Sequence, residues 1–83
     1  MPKRTQAEIE LIEASLTGNT QAFEELVRKY QSLVCAITYS RTGCLDTSEE
    51  LAQETMLLAW KNLGQLRELE KFSTWLCRIA HST

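Results

Sequence analysis

The sequence predicts an all-α fold, a compact bundle of about four helices with an ordered loop before the last helix. Three observations carry that expectation. Apolar residues recur three and four apart in four separate stretches, as one face of a helix requires. Helix punctuation separates them: Thr5 with Glu8 and Thr47 with Glu50 have capping-box spacing, and Gly18-Asn19, Gly43 and Gly64 mark breaks. The composition is that of an ordinary globular chain, 43% hydrophobic and 24% charged with three glycines and one proline, so disorder is not expected. Eighty-three residues bury about 60 to 65% of their unfolded surface, enough for a helical bundle but not for a deep catalytic cavity.

The first helix is expected from about Gln6 to Thr17, with Ile9, Ile12 and Leu16 at helical spacing. It is short and must lean on something. After the Gly18-Asn19-Thr20 turn, Phe23, Leu26, Val27, Tyr30, Leu33, Val34 and Ile37 lie on one arc, while Glu24, Glu25, Arg28, Lys29 and Ser32 fall outside it. That pattern predicts a core helix of about 20 residues ending near Ser40, and packing alone explains it. Tyr39 lies off the stripe. Arg41 to Asp46 reads as a polar loop around Gly43.

The stretch from Thr47 to Gly64 predicts a third helix with both ends marked. Leu51, Ala52, Thr55, Met56, Leu58, Ala59 and Leu63 form its core arc. The opposite stripe is Glu50, Gln53, Glu54, Leu57 and Lys61, with Trp60 on its border. Large apolar groups beside acids and an amide fit a contact surface for a partner helix. Equally, Trp60 could lean into the core and Leu57 be an isolated exposed leucine, which is common. QLRELEK, residues 65–71, has little regular pattern and reads as an ordered loop.

A last helix begins near Phe72 or Ser73 and still runs at Thr83. Phe72, Trp75, Leu76, Ile79 and Ala80 form its inner arc. Its outer arc, Ser73, Thr74, Cys77, Arg78 and His81, contains no acid and follows Lys71. Such a face is either ordinary solvated surface or one that nucleic acid would tolerate. No glycine cap or proline follows, so residues 1–83 are expected to be a domain excised from a longer protein.

Charge is divided along the chain although the net charge is only −2. Residues 44–60 carry Asp46, Glu49, Glu50 and Glu54 and no base. Residues 61–83 carry Lys61, Arg67, Lys71 and Arg78 against Glu68 and Glu70. Two different partners are implied. No apolar run approaches the ~20 residues of a membrane span and the start has no signal-peptide character, so a cytoplasmic protein without membrane insertion is expected. Cys35, Cys44 and Cys77 are odd in number and form no CxxC pair, which argues against a disulfide framework.

Catalytic and cofactor motifs are missing: no Gly-rich phosphate loop, no nucleophile with a His and acid pattern, no HExxH. Cys77 and His81 stand four apart, and with Cys35 and Cys44 they would make a Cys3His set. The irregular spacing between those pairs speaks against a metal site.

Read together, AFEELVRKY (Ala22 to Tyr30), SEELAQETMLLAW (Ser48 to Trp60) and KFSTWLCRIA (Lys71 to Ala80) resemble region 2 of a sigma factor of the extracytoplasmic-function (ECF) class. Order and spacing match as well, and the resemblance covers about residues 6–83. It implies a non-enzymatic helical bundle acting in bacterial transcription initiation, with no cofactor. By position, Glu50, Gln53, Glu54, Leu57 and Trp60 would contact the clamp helices of the RNA polymerase β′ subunit. The 65–71 loop and the following helix would capture the non-template single strand of the promoter -10 element, with one base flipped into a pocket between them. Arg67, Lys71 and Arg78 would serve phosphates. Ser73, Thr74, His81 and Ser82 would address bases, and Trp75 would form a wall or remain in the core. An anti-sigma factor is a further implied partner. Glu50 and Met56 stand where the family commonly has Asp and Phe, and Ser82 where it commonly has Asn. The family's second DNA-binding region, which reads the upstream promoter element, has no counterpart in these residues. A second reading keeps the protein-docking surface, for polymerase or for an inhibitor protein, without any DNA role.

Overall fold

The structure, a computed structural model, describes residues 2–83, with side chains from Gln6 onward. Helix α1 spans Pro2–Leu16, α2 Thr20–Thr42, α3 Leu45–Asn62 and α4 Phe72–Ser82. Two single turns of 3-10 helix, Leu63–Gln65 and Leu69–Lys71, lie between α3 and α4. The all-α bundle expected from the sequence is thus the observed fold.

Antiparallel α2 and α3 form the centre. Ser48, Ala52, Thr55 and Ala59, spaced four, three and four apart, are the buried residues of α3. They face Phe23, Leu26 and Val34 of α2, and the small side chains let the two backbones approach. The buried Thr38 hydroxyl donates to the Ser48 carbonyl at 2.8 Å, a direct link between the helices. Ser48 and Thr55 turn their own hydroxyls back onto Leu45 and Leu51 carbonyls, both at 2.8 Å. No buried side-chain polar atom among the described residues lacks a partner. Leu51, Met56 and Leu58, expected in the core, occupy the flanks instead: Leu51 and Met56 are half-buried and Leu58 is 37% exposed. Once the small residues set the helix separation, larger neighbours have no room in the seam.

Helix α4 closes the bundle by burying Phe72, Leu76 and Ala80. Burial of each large apolar side chain in this cluster contributes about 1.5–3 kcal/mol. Aromatic rings run through the packing: Phe23 meets Trp60 at 4.9 Å between centroids, Tyr30 meets Phe72 at 5.5 Å, and Phe72 meets Trp75 at 5.9 Å. Helix α1 adds buried Ile12 and is pinned through Glu8, which pairs with Lys29 at 2.8 Å and accepts from the Tyr30 hydroxyl.

The helix boundaries correct several expectations. Helix α1 begins at Pro2, which sets Thr5 inside it rather than at a cap; the Thr5 side chain lies outside the described residues. Its end follows the sequence signal. Gly18 adopts φ +98°, and its N–H reaches the Ser15 carbonyl at 3.0 Å while Asn19 N–H reaches Ala14 at 3.1 Å, a Schellman closure. Asn19 then caps α2 by accepting from Ala22 N–H at 3.1 Å. The expected loop from Arg41 to Asp46 shrinks to two residues. Gly43, at φ +68°, ends α2 through an N–H bond to Tyr39, and extended Cys44 starts α3. Thr47 therefore sits within the first turn of α3, so the expected Thr47–Glu50 capping box is not made. Nor does Gly64 end α3 with a left-handed residue. Leu63, buried in the core, carries the chain into a tighter turn in which Leu66 N–H bonds Leu63 at 3.1 Å.

Replacing Thr38 with Val keeps the shape but removes the bond to Ser48. We expect a loss of about 1 kcal/mol, seen as a Tm lower by roughly 4–8 °C with unchanged helix content. An unaltered Tm would show that the link between α2 and α3 adds nothing.

Candidate functional site

Two concave surfaces share no lining residue. The first is a groove of about 540 Å³ between α2 and α3. Its floor is apolar, formed by Phe23, Val27, Ala52, Met56 and Trp60, and Leu57 stands at its edge with 69% of its surface exposed. Glu24, Gln31, Glu49 and Gln53 rim it. Of the five expected docking residues, Gln53, Leu57 and Trp60 line this groove. Glu50 and Glu54 are exposed on α3 but do not line it. Trp60 is half-buried on Phe23, so it both packs the core and presents part of its ring to the groove. The α2 wall, including Phe23, Glu24, Val27 and Gln31, escaped the sequence reading because that helix had a sufficient explanation in its core stripe. Adjacent exposed polar positions four apart, Glu24 and Arg28, gave no separate signal.

The second surface is a pocket of about 340 Å³ where the segment after α3 meets α4. Leu66 and Trp75 supply apolar walls; Arg67, Lys71 and Arg78 bring three cations; Thr74 offers a hydroxyl and Glu68 a carboxylate. The expected loop is held by its half-buried leucines, Leu66 and Leu69, which pack on the core between exposed Arg67, Glu68, Glu70 and Lys71. Trp75 is half-buried and tilted 40° against buried Phe72, which fixes the wall while leaving a ring surface accessible. Both alternatives considered for this tryptophan are therefore partly realised.

Arg67, Lys71, Thr74, Trp75 and Arg78 are thus gathered in one place, whereas Ser73, His81 and Ser82 do not line the pocket. Ser82 lies eight positions beyond Thr74, about 12 Å along the helix. Its hydroxyl donates to the Ile79 carbonyl at 3.0 Å. At that end Arg41 of α2 donates to the carbonyls of Ala80, at 3.1 Å, and Thr83. The guanidinium thereby ties α2 to α4. Sequence reading placed Arg41 in a loop and did not find this role, since the contact joins residues 39 apart.

Among the described residues, no three His, Cys, Asp or Glu side chains group in a way that could hold a metal ion, so Cys77 and His81 gain no further ligand. Cys35 and Cys77 are half-buried and Cys44 is exposed, all as free thiols. The Thr47 hydroxyl, helped by the Thr47 and Asp46 backbone N–H groups, favours the Cys44 thiolate and holds its pKa below the ordinary thiol value, against smaller opposing effects of desolvation and Glu50. No helix among the described residues is long and apolar enough to cross a membrane.

The sigma-70 region 2 family matches residues 15–83. The chain belongs to this family. Among curated relatives, RNA polymerase sigma-H factor of Pseudomonas aeruginosa is 34% identical over 74 residues, covering 89% of this chain and 38% of that protein. ECF RNA polymerase sigma factor SigW of Bacillus subtilis is 35% identical over 63 residues, 76% of this chain and 34% of the relative. ECF RNA polymerase sigma factor BldN of Streptomyces coelicolor is 33% identical over 75 residues, 89% and 28% respectively. The chain spans between a quarter and two fifths of the length of these relatives. No solved structure gives a significant match. The region 2 match includes α2, α3, both 3-10 turns and α4, and so contains both concave surfaces.

The lowered Cys44 pKa has a kinetic signature. Alkylation at Cys44 should rise with pH through a midpoint below that of an unperturbed thiol, and Thr47→Val should move the midpoint upward. The linkage has the same sign: any stabilisation from this thiolate is present above the unfolded thiol pKa and is lost as pH falls through the folded one. Coincident pH profiles for the wild type and the Thr47 variant would remove this account.

Proposed function

We propose that residues 1–83 form the polymerase-docking and promoter-melting module of an ECF-class sigma factor, within a longer protein that supplies further promoter contacts. The observation that carries the reading is the separation of two chemically opposite surfaces on one bundle. One is an apolar groove with acidic neighbours on α3; the other is a cationic pocket with an aromatic wall beside α4.

On this reading α3 docks against the basic clamp helices of RNA polymerase β′. Leu57 and the accessible part of Trp60 provide desolvated anchors, Gln53 a polar contact, and Glu50 and Glu54 the charge complement. Such acids steer association and set orientation more than they add affinity. The pocket receives an unpaired base of the non-template -10 strand. Trp75 stacks with the base and Arg67, Lys71 and Arg78 neutralise phosphates, while Ser73 and Thr74 lie close enough in sequence to approach base edges. His81 and Ser82, a further two turns along α4, would act on a neighbouring nucleotide. Melting then requires no covalent chemistry: preferential binding of the open strand shifts the duplex equilibrium. In this role the chain is a non-enzymatic transcription factor working in the cytoplasm, and an anti-sigma factor that covers the α3 face would block it.

A second reading, a helical interaction module bound by polymerase or an inhibitor without DNA recognition, is favoured by one observation. The Ser82 hydroxyl is engaged with Ile79 and stands away from the pocket.

One measurement tests the docking surface and a second separates the two readings. Glu54→Lys should abolish binding to a purified β′ clamp-helix fragment while circular dichroism stays unchanged; a folded variant that docks normally would mean the α3 stripe is misassigned. Arg67→Ala with Lys71→Ala should lower single-strand affinity similarly for all sequences and flatten its salt dependence. Wild-type protein that docks but never binds single strands would instead establish the interaction module.

A further inference from the structure

Helix α1 places one carboxylate, that of Glu8, against α2 rather than in solvent. Glu8 precedes the stretch that matches the region 2 family, which begins at residue 15. Its side chain keeps 11% of its surface exposed, a costly setting for a charge unless partners compensate it. Two neighbouring α2 side chains do so: the Lys29 ammonium lies 2.8 Å from Oε1, and the Tyr30 hydroxyl donates to the same oxygen. The ion pair with Lys29 is enough to hold α1 on α2. The bond from Tyr30 does something further, because a charged acceptor at the tip of a phenol fixes where its ring sits. That ring lies 5.5 Å from Phe72 between centroids, tilted by 60°. Phe72 is 1% exposed, so a shift of Tyr30 either displaces it or opens a void beside it. Phe72 in turn meets Trp75 at 5.9 Å, and Trp75 is a wall of the pocket beside α4. Helix α1 also packs on the Leu69–Lys71 turn, and Phe72 N–H bonds the Leu69 carbonyl, so the middle ring of the series is held from the loop side as well.

We propose that Glu8 is a positioning residue for strand capture: through the Tyr30 hydroxyl and the buried Phe72 ring it fixes the Trp75 face on which an unpaired base stacks. This rests on the single-strand capture reading above. Stacking requires a ring held at one tilt, and a wall free to rock loses part of the gain each time a base enters. The first helix thereby contributes to a site that none of its own residues lines. Phosphate contacts through Arg67, Lys71 and Arg78 do not pass through this ring series, so the proposal separates base stacking from charge neutralisation.

The test compares oligo-deoxyadenosine with an abasic strand of the same length, which keeps the phosphates and lacks the bases. Fluorescence anisotropy at low salt with the 83-residue chain should show the adenosine strand bound more tightly. Glu8→Ala and Tyr30→Phe should each weaken the adenosine strand about fivefold and leave the abasic strand unchanged. The double variant should lose no more than either single one, because both remove the same bond. Glu8→Gln keeps an acceptor for the hydroxyl and should retain most of the preference. Without any strand, and in a Trp60→Phe background that leaves Trp75 as the one tryptophan, Glu8→Ala should raise quenching of its fluorescence by acrylamide. Circular dichroism and the Tm check that every variant is folded at the temperature used. Variants that keep the wild-type preference overturn the proposal, whatever the fluorescence does. Equal weakening of both strands also overturns it and leaves Glu8 as a structural tie between α1 and α2. Additive losses in the double variant, or Glu8→Gln as impaired as Glu8→Ala, overturn the route through the Tyr30 hydroxyl. A folded wild type that binds neither strand, or both equally, sinks the capture reading itself and the proposal with it.

Discussion

The close approach of α2 and α3 over Ser48, Ala52, Thr55 and Ala59 is the constraint on which the molecule depends. With side chains this small along the seam, the helix backbones come near enough for Thr38 to donate to the Ser48 carbonyl. It also forces the large side chains of α3 to the flanks. Met56, Leu57 and Trp60 border one side of the contact, where they and Phe23 and Val27 of α2 enclose an apolar groove. The groove is therefore a product of how the core packs. A chain with leucines in place of those small residues would push the helices apart and lose both the hydrogen bond and the groove shape.

The second surface depends on the same core from another direction. Phe72, Leu76 and Ala80 set the inner face of α4, and the Tyr30–Phe72–Trp75 ring series ties that face to α2. Leu66 and Leu69 bind the connecting segment to the core at two points three residues apart. The polar residues between and around them, Arg67, Glu68 and Lys71, are left pointing outward from an anchored backbone. Arg41 of α2 holds α4 at Ala80 by donating to its carbonyl. A pocket on so small a scaffold benefits from this anchoring, because less conformational entropy is lost when any ligand enters.

Electrostatics divides the labour between the two surfaces. Acids dominate α3 up to Trp60, and the cations of the 65–78 segment collect in the pocket. Under the proposed function, a basic protein partner and a polyanionic strand would thereby be steered to different surfaces, within about a Debye length of each. A net charge of −2 still disfavours nonspecific DNA binding by the chain as a whole.

How much of this was legible in the sequence follows from which interactions are local. The all-α class, the Gly18-Asn19 turn, the core stripe of α4, that of α2 apart from Leu33, which is exposed, and the family membership follow from residues three or four apart and from motif spacing. The Thr47–Glu50 capping signal misled because Gly43 at positive φ ends α2 so abruptly that α3 restarts at once, which leaves Thr47 inside the first turn. Periodicity gave the phase of α3 correctly, yet it could not tell that Ala52 and Thr55 would be buried while Leu58 was not. Side-chain size decides burial only once a facing helix is in place. Likewise the sequence by itself determined that Arg67, Lys71, Thr74, Trp75 and Arg78 fall near one another along the chain. Tertiary structure alone decided that they share a pocket with Glu68, that His81 and Ser82 stand outside it, and that Arg41 reaches the Ala80 carbonyl across 39 residues. The reason is physical: helical periodicity fixes directions within one element, whereas the separation and rotation of packed helices depend on the shapes of all the side chains between them.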